Sequence, residues 1–304
     1  MTTIWSILLA ILIFGCIIAI HEFGHFIAAK RNGIQVNEFA IGMGPKIFHF
    51  QKGETLYSLR LFPIGGFCLM EGEDAESKNA RAFDQKPVWR RMIVVLAGAF
   101  MNLALGFVLL IATTCSDPYL ISNTIHGFHE QATSNTCGLQ AGDTIVSLNG
   151  SHIFTITDLQ YKLSNESGEP FTVVVERDGK KVKLQDVTFR DQENNDWLDF
   201  SLEPQQKTVF HVLSYAAKDT VATGKLIWMS LIELVTGKYG IQDLSGPVGT
   251  VEVISNAATA GATAAERISS VLHLTIFITI NVGIFNLLPI PGLDGSRFWF
   301  LFLE

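Results

Sequence analysis

Three long apolar runs organise this chain. Between Ile4 and Ala29 the only charge is Glu22, and neither Met92 to Thr114 nor Ile268 to Ile290 carries any. A helix rising 1.5 Å per residue needs about 20 residues to cross a hydrocarbon core, so each run predicts a transmembrane helix. A fourth apolar stretch opens at Phe298 and stops at Glu304, which reads as the start of another helix cut short. A cleaved signal peptide is the rival reading of the first run. No Lys or Arg precedes Ile4, however, and the run is too long for a signal-peptide core.

The segments between these runs have their own periodicity. Lys46–Gln51 and Thr55–Phe62 are strand-like and meet at Lys52-Gly53, with Val36–Ala40 as a candidate third strand. Gly42, Gly44 and Pro45 punctuate one end, and Pro63, Gly65 and Gly66 the other. A small sheet tucked against the membrane and an ordinary solvated hairpin both fit this pattern. Farther on, Thr144–Leu148 and Phe171–Val175 predict strands, and Asp178-Gly179 predicts a two-residue hairpin turn between Val173–Glu176 and Lys181–Leu184. Leu213–Val235 has helical apolar spacing with Lys218, Lys225 and Glu233 on the other side. It would lie flat on the membrane interface or pack on the β-rich region before it.

Composition agrees with a membrane. Of 304 residues 48% are hydrophobic and 17% charged, against about 25% charged in an ordinary soluble domain. A net charge of −7 gives no basic footprint for nucleic acid. Cys16, Cys68, Cys115 and Cys137 are far apart, which excludes a disulfide scaffold and a cysteine zinc ribbon. Cys115 and Cys137 share the outer segment, but nothing in their spacing favours a bond. Residues 30–91 hold 10 of the 22 Lys and Arg, whereas 115–267, more than twice as long, holds 11. That bias puts the shorter loop in the cytoplasm, and the N-terminus and long segment outside.

The chemistry starts at His21-Glu22-Phe23-Gly24-His25. On a helix, residues i and i+4 share a face, so both imidazoles reach one zinc while Glu22 points near its open position. A carboxylate at membrane depth costs roughly 2.5–3.5 kcal/mol, so such residues need a partner, and a divalent cation supplies one. A snorkelling cluster at the helix end is the bland alternative. Catalytic zinc takes three protein ligands and leaves one position for water. Asp294 fits the third, because the last full span returns to the side where His21 and His25 lie; a turn aspartate before Gly295 is its ordinary reading. His273 is expected to be a hydrogen-bonded interior residue, and Asn102 and Asn281 to be helix-packing amides, Asn102 near the site. Glu71, Glu73, Asp74 and Glu76 are expected to form a solvated acidic loop.

These residues together resemble the site-2 proteases, intramembrane zinc metalloproteases, in their bacterial regulator-of-sigma branch. The resemblance rests on the HEFGH at 21–25, Gly42-Met43-Gly44-Pro45, Pro63-Ile64-Gly65-Gly66-Phe67, Gly98-Ala99-Phe100-Met101-Asn102, Leu244–Gly249 and Asn286–Gly295. It implies His21, His25 and Asp294 as ligands of one catalytic Zn2+, Glu22 as general base, and Asn286 as the holder of substrate backbone or oxyanion. It also implies a membrane re-entrant sheet in the cytoplasmic loop. The run Gly138–Gly150 is similar to bacterial PDZ domains and occurs once, as in the single-PDZ members.

The expected architecture is an α-helical multi-pass membrane protein with three complete spans and a truncated fourth. Its segments are a first span with the HExxH (1–30), a cytoplasmic loop with the sheet (31–91), a second span (92–115), an extracytoplasmic PDZ domain (116–205), an amphipathic connector (206–267), and a third span with the LDG motif and the start of a fourth helix (268–304). The expected activity is hydrolysis of peptide bonds in the transmembrane segments of single-pass proteins, anti-sigma factors and remnant signal peptides being the implied substrates, after a first outer cut. A substrate helix must unwind to free a carbonyl, and strands 46–62 would offer an edge to pair with it. The rival reading is a membrane-anchored PDZ binding module or a metal conduit without protease activity; neither needs Glu22 between its ligands.

Overall fold

Apolar helices long enough to span a membrane need no polar partners of their own, and three of that kind dominate the computed structural model: Ile4–Arg31, Val88–Ser116 and Ala264–Phe285. The structure describes residues 3–73, 75–166, 170–189, 198–238 and 247–304. Among these the order is α1 (Thr3–Arg31), β1 (Val36–Lys52), β2 (Thr55–Met70), α2 (Val88–Ser116), β3 (Leu120–Phe128), β4 (Thr144–Leu148), β5 (Ser151–His152) and α3 (Ile156–Asn165). There follow β6 (Phe171–Arg177), β7 (Lys180–Val187), β8 (Phe200–Gln205), α4 (Val209–Val235), α5 (Pro247–Thr259), α6 (Ala264–Phe285) and α7 (Asp294–Leu303). Two compact units result: residues 1–109 with 239–304, and residues 110–238.

In the first unit α1, α2 and α6 expose Trp5, Leu12, Phe100, Val108 and Ile268, the surface that a lipid-facing helix presents. The expected third span ends early, at Phe285 instead of Ile290, because Pro289 and Pro291 lack the N–H a helix needs. It also starts earlier, at Ala264, behind a capping box in which Thr263 accepts from the Glu266 N–H and Glu266 reaches back to the Ala262 and Thr263 N–H groups.

The loop between α1 and α2 is a sheet, but not the hairpin expected from 46–62. β1 and β2 each bend, and residues 38–41 of β1 pair on both sides, with Leu56–Leu59 and with Gly66–Leu69. Lys46–Lys52 then pairs with Thr55–Arg60. Two strands thus make four rungs, in the order 66–70, 36–41, 55–60, 46–52. The glycines and prolines taken as strand ends are its bends: Gly42 and Gly65 have φ of 85° and 89°, which a side chain resists, and the ladder shifts register there. The candidate third strand at Val36–Ala40 is present, and a fourth, Gly66–Met70, pairs along its other side.

Two apolar clusters bracket this unit. Ala29, Ile34, Val36, Met70, Phe83 and Val94 pack the end of α1 onto the sheet and α2. Ala10, Ile13, Ile17, Ile254 and Ile278 pack the start of α1 against α5 and α6.

In the second unit an antiparallel sheet runs β7-β6-β4-β3-β8, with β5 on β4, around a core that includes Ile125, Leu148, Leu159 and Val173. The predicted hairpin is present: Asp178 and Gly179 both have positive φ, 51° and 72°, between β6 and β7. α4 packs on α3, where Asp219 accepts from Thr155 and Thr157 and Lys225 pairs with Asp158 at 2.9 Å. Phe210, Trp228 and Ile232 remain exposed on it. Cys115 and Cys137 are free thiols. Leu244, Ser245 and Gly246 of the quoted motif, and Asp74 of the acidic cluster, lie outside the described residues.

Candidate metal centre

Three donors from the two ends of the chain converge in the first unit. His21 and His25 lie one turn apart on α1, about 15 Å and about 9 Å respectively from its Arg31 end at helical rise. Their Nε2 atoms are 3.1 Å apart, and Asp294 Oδ2 lies 3.0 Å from that of His21 and 3.2 Å from that of His25. Both imidazoles are buried. Asp294 Oδ2 is also buried and makes no hydrogen bond among the described residues.

The loop after α6 explains how a carboxylate reaches this depth. Asn286 caps α6, and its backbone carbonyl accepts from the Gly295 N–H at 2.7 Å, closing Leu287–Asp294 into a loop. A Cβ on Gly295 would run into the carbonyls of Leu287 and Leu288, so only glycine follows Asp294 here. α7 starts at Asp294 itself, with Ser296 Oγ donating to the Leu293 carbonyl at 2.8 Å.

The donor set fits a zinc ion. Tetrahedral bonds of about 2.0–2.1 Å put neighbouring donors roughly 3.3–3.4 Å apart, close to the three separations found. His25 is turned for it, since Nδ1 donates to the Val94 carbonyl at 2.8 Å and leaves the Nε2 lone pair facing inward. Without a cation, that lone pair would face a carboxylate oxygen. A cavity of about 450 Å³ adjoins the donors, lined by Glu22, Phe67, Cys68, Met70, Asp294 and Arg297 among others. Glu22 shares it with the fourth rung of the sheet, where the Cys68 N–H faces its carboxylate.

Other sequence expectations fare unevenly. His273 is exposed rather than interior, and bonds the Ser269 carbonyl of its own helix. Asn281 is half-buried, and its side-chain carbonyl oxygen is buried with no hydrogen-bond partner among the described residues. The acidic loop is not merely solvated: Glu71 accepts from Asn37 and Ser77, and Glu73 pairs with Arg297 at the cavity. The sequence assigns no site role to Gly98, although it lies in the quoted Gly98–Asn102 run, nor to Val94 or the strand at 66–70. A glycine inside an apolar span was the available signal for the first of these; a backbone carbonyl leaves none.

Two imidazoles, a carboxylate and a neighbouring second carboxylate, under apolar helices, are the equipment of a zinc-dependent hydrolase of the membrane. Comparison with known proteins agrees. Residues 9–304 match the model of peptidase family M50. A Clostridium acetobutylicum protein carrying a zinc-metalloprotease name is 36% identical over 302 residues, covering 98% of this chain and 86% of the relative. The regulator of sigma-W protease RasP of Bacillus subtilis is 30% identical over 389 aligned residues, 98% of this chain and 90% of that protein. A third zinc-metalloprotease namesake, from Fusobacterium nucleatum, is 33% identical over 311 residues, 98% and 88% respectively.

The chain belongs to peptidase family M50, the site-2 proteases. It is a zinc metalloprotease, and the rival reading of a binding module or conduit without protease activity falls.

Proposed function

We propose that His21, His25 and Asp294 hold the zinc, that Glu22 moves the proton, and that the bonds cut lie in transmembrane segments of other membrane proteins. The observation that carries this is the convergence of His21 Nε2, His25 Nε2 and Asp294 Oδ2 within 3.2 Å of one another where apolar helices meet. When bound, zinc acidifies water and acts as a Lewis acid toward a peptide carbonyl. Glu22, on the cavity wall, takes the proton of the attacking water and returns it to the departing nitrogen.

A substrate helix satisfies its own carbonyls and must open before attack. The rung at Phe67–Met70 offers the replacement bonds: its inner side pairs with β1, and its outer side lines the cavity with Glu22. This moves the expected pairing edge from 46–62 to 67–70. Asn286, tied to Gly295 across the loop, holds the substrate backbone or the developing oxyanion.

The second unit is a single PDZ module. Gly138–Gly150 contains Asp143, fully buried and held bidentately by Arg177 at 2.7 Å twice. The unit stands outside the bacterial cell membrane with the N-terminus, while the site opens toward the cytoplasm, and the exposed Phe210, Trp228 and Ile232 of α4 meet the membrane interface. It acts on single-pass proteins already cut once outside, anti-sigma factors and remnant signal peptides being the class, in regulated intramembrane proteolysis. Its part is to catch the new chain end or to obstruct uncut proteins; deleting 116–205 abolishes cleavage in the first case and widens substrate acceptance in the second.

The decisive experiment is Glu22→Gln. The variant should retain zinc and lose cleavage of a transmembrane model peptide; retained cleavage removes Glu22 from the proton transfer.

A further inference from the structure

We infer that Asn102 is the acceptor that fixes His21 in the tautomer able to bind metal, a positioning role that rests on His21 being a ligand. Asn102 lies one helical turn beyond Gly98 on α2, fully buried, with its amide Nδ2 3.3 Å from Nδ1 of His21. Its carbonyl oxygen Oδ1 is buried with no hydrogen-bond partner among the described residues. The backbone beneath it is pinned separately, by Thr279 Oγ1 donating to the Asn102 carbonyl at 3.1 Å.

An imidazole has one proton to place when neutral. His21 Nε2 faces His25 and Asp294, so as a ligand it must be bare, and the proton sits on Nδ1. A protonated Nδ1 cannot accept from an amide N–H; it needs an oxygen. The two ends of the Asn102 side chain are nearly isosteric, and a half-turn brings Oδ1 to the position beside Nδ1. Either orientation leaves one end of the amide without a partner among the described residues, so hydrogen-bond satisfaction there does not choose between them. The metal does, because only the carbonyl-inward orientation accepts the proton that zinc binding puts on Nδ1.

The two histidines are then oriented by the same helix in different ways. Val94 supplies a backbone carbonyl to His25, which any residue at 94 would provide. Asn102 supplies a side-chain oxygen to His21, which most residues cannot. Outer partners of this kind are commonly worth 10–100-fold in metal affinity.

The test is zinc affinity of the purified full chain, by competition with a chromophoric chelator. Asn102→Leu should weaken zinc about 10–100-fold. Asn102→Asp, which accepts through both oxygens when ionised, should hold zinc at least as tightly as the unsubstituted chain, and Thr279→Val should leave the affinity unchanged. An Asn102→Asp protein as weak as Asn102→Leu overturns the inference, as does an Asn102→Leu protein of normal affinity. His21→Ala separates the two levels: if it keeps normal affinity, the ligand assignment itself falls, whereas weak His21→Ala beside normal Asn102→Leu removes only the role of Asn102. Should Asn102→Leu fail to fold, nitrogen NMR of the unsubstituted, zinc-loaded chain labelled at histidine decides. A proton on His21 Nδ1 coupled across a hydrogen bond to the Asn102 side-chain carbonyl supports the inference, and an uncoupled proton or a bare Nδ1 overturns it.

Discussion

Gly98 of α2 faces His25 of α1 so closely that a Cβ there would overlap the imidazole Nε2, and the same atom would come within 2.7 Å of His21 Nε2. The two helices meet at the metal donors themselves, and the crossing works because one of them has no side chain at that point. Small residues allow such approaches between membrane helices.

Gly98→Ala is therefore expected to displace both imidazoles while leaving the helices intact. Overpacking of this kind costs about 1–3 kcal/mol, but the larger effect falls on the donors. Zinc per protein, measured by atomic emission, should fall well below one while helical circular dichroism stays unchanged. Full zinc occupancy would show that the helices part without disturbing the site.

Asp294→Asn keeps the shape of the third donor and removes its charge. Oδ2 is buried against the two imidazole nitrogens and has no hydrogen-bond partner among the described residues, so the loss should appear as metal dissociation and not as unfolding. Equilibrium dialysis against zinc measures it. Wild-type affinity would place the third ligand elsewhere.

A cysteine at Leu69, half exposed on the sheet rung beside the cavity, should form a disulfide with a cysteine in the scissile segment of a bound substrate. The trap is made in a Glu22→Gln background, to prevent cleavage, with Cys16, Cys68, Cys115 and Cys137 each replaced by alanine, to remove competing thiols. Crosslinking from Phe48→Cys at the far rung, and not from Leu69→Cys, would put the substrate on the other edge.

Glu54 at the hairpin tip tests the anchoring of the sheet. Hydrogen bonds from Arg81 (2.5 Å) and Lys30 (2.7 Å) hold its carboxyl down to about 2, well under its ordinary 4.5. A carboxyl depressed by folding stabilises above its unfolded value, and the contribution disappears as pH falls from about 4.5 to about 2. The difference in thermal stability between the unsubstituted chain and Glu54→Gln should be constant at neutral pH and shrink through that window. A difference that persists to pH 2 would mean the ion pairs contribute nothing.

Most of the membrane architecture was legible because lipid imposes a local rule. Every residue from Ile4 to Ala29 must suit hydrocarbon or justify itself, which makes Glu22 and its flanking histidines conspicuous within one helix. The Asp178-Gly179 turn was legible for a similar reason, since two successive positive φ angles restrict the residues that can occupy them. The bends at Gly42 and Gly65 use the same residue types but continue strands instead of ending them, and only the partner strand distinguishes the two outcomes. His273 misled because an imidazole in an apolar helix can satisfy itself on the preceding turn, as its bond to the Ser269 carbonyl does.

From the order of residues alone came the spans, the one-turn spacing that sets His21 and His25 on one face, and the candidate carboxylate at 294. Those are consequences of helical pitch and of what a bilayer tolerates. Tertiary structure alone decided that Gly98 makes room for the imidazoles, that the chain doubles back at Gly295 to deliver Asp294, and that residues 38–41 pair on both sides to leave Phe67–Met70 beside Glu22. Periodicity describes a residue's neighbours along its own element, whereas a metal centre is made where separate elements pack, and no local pattern specifies which backbone will come within reach.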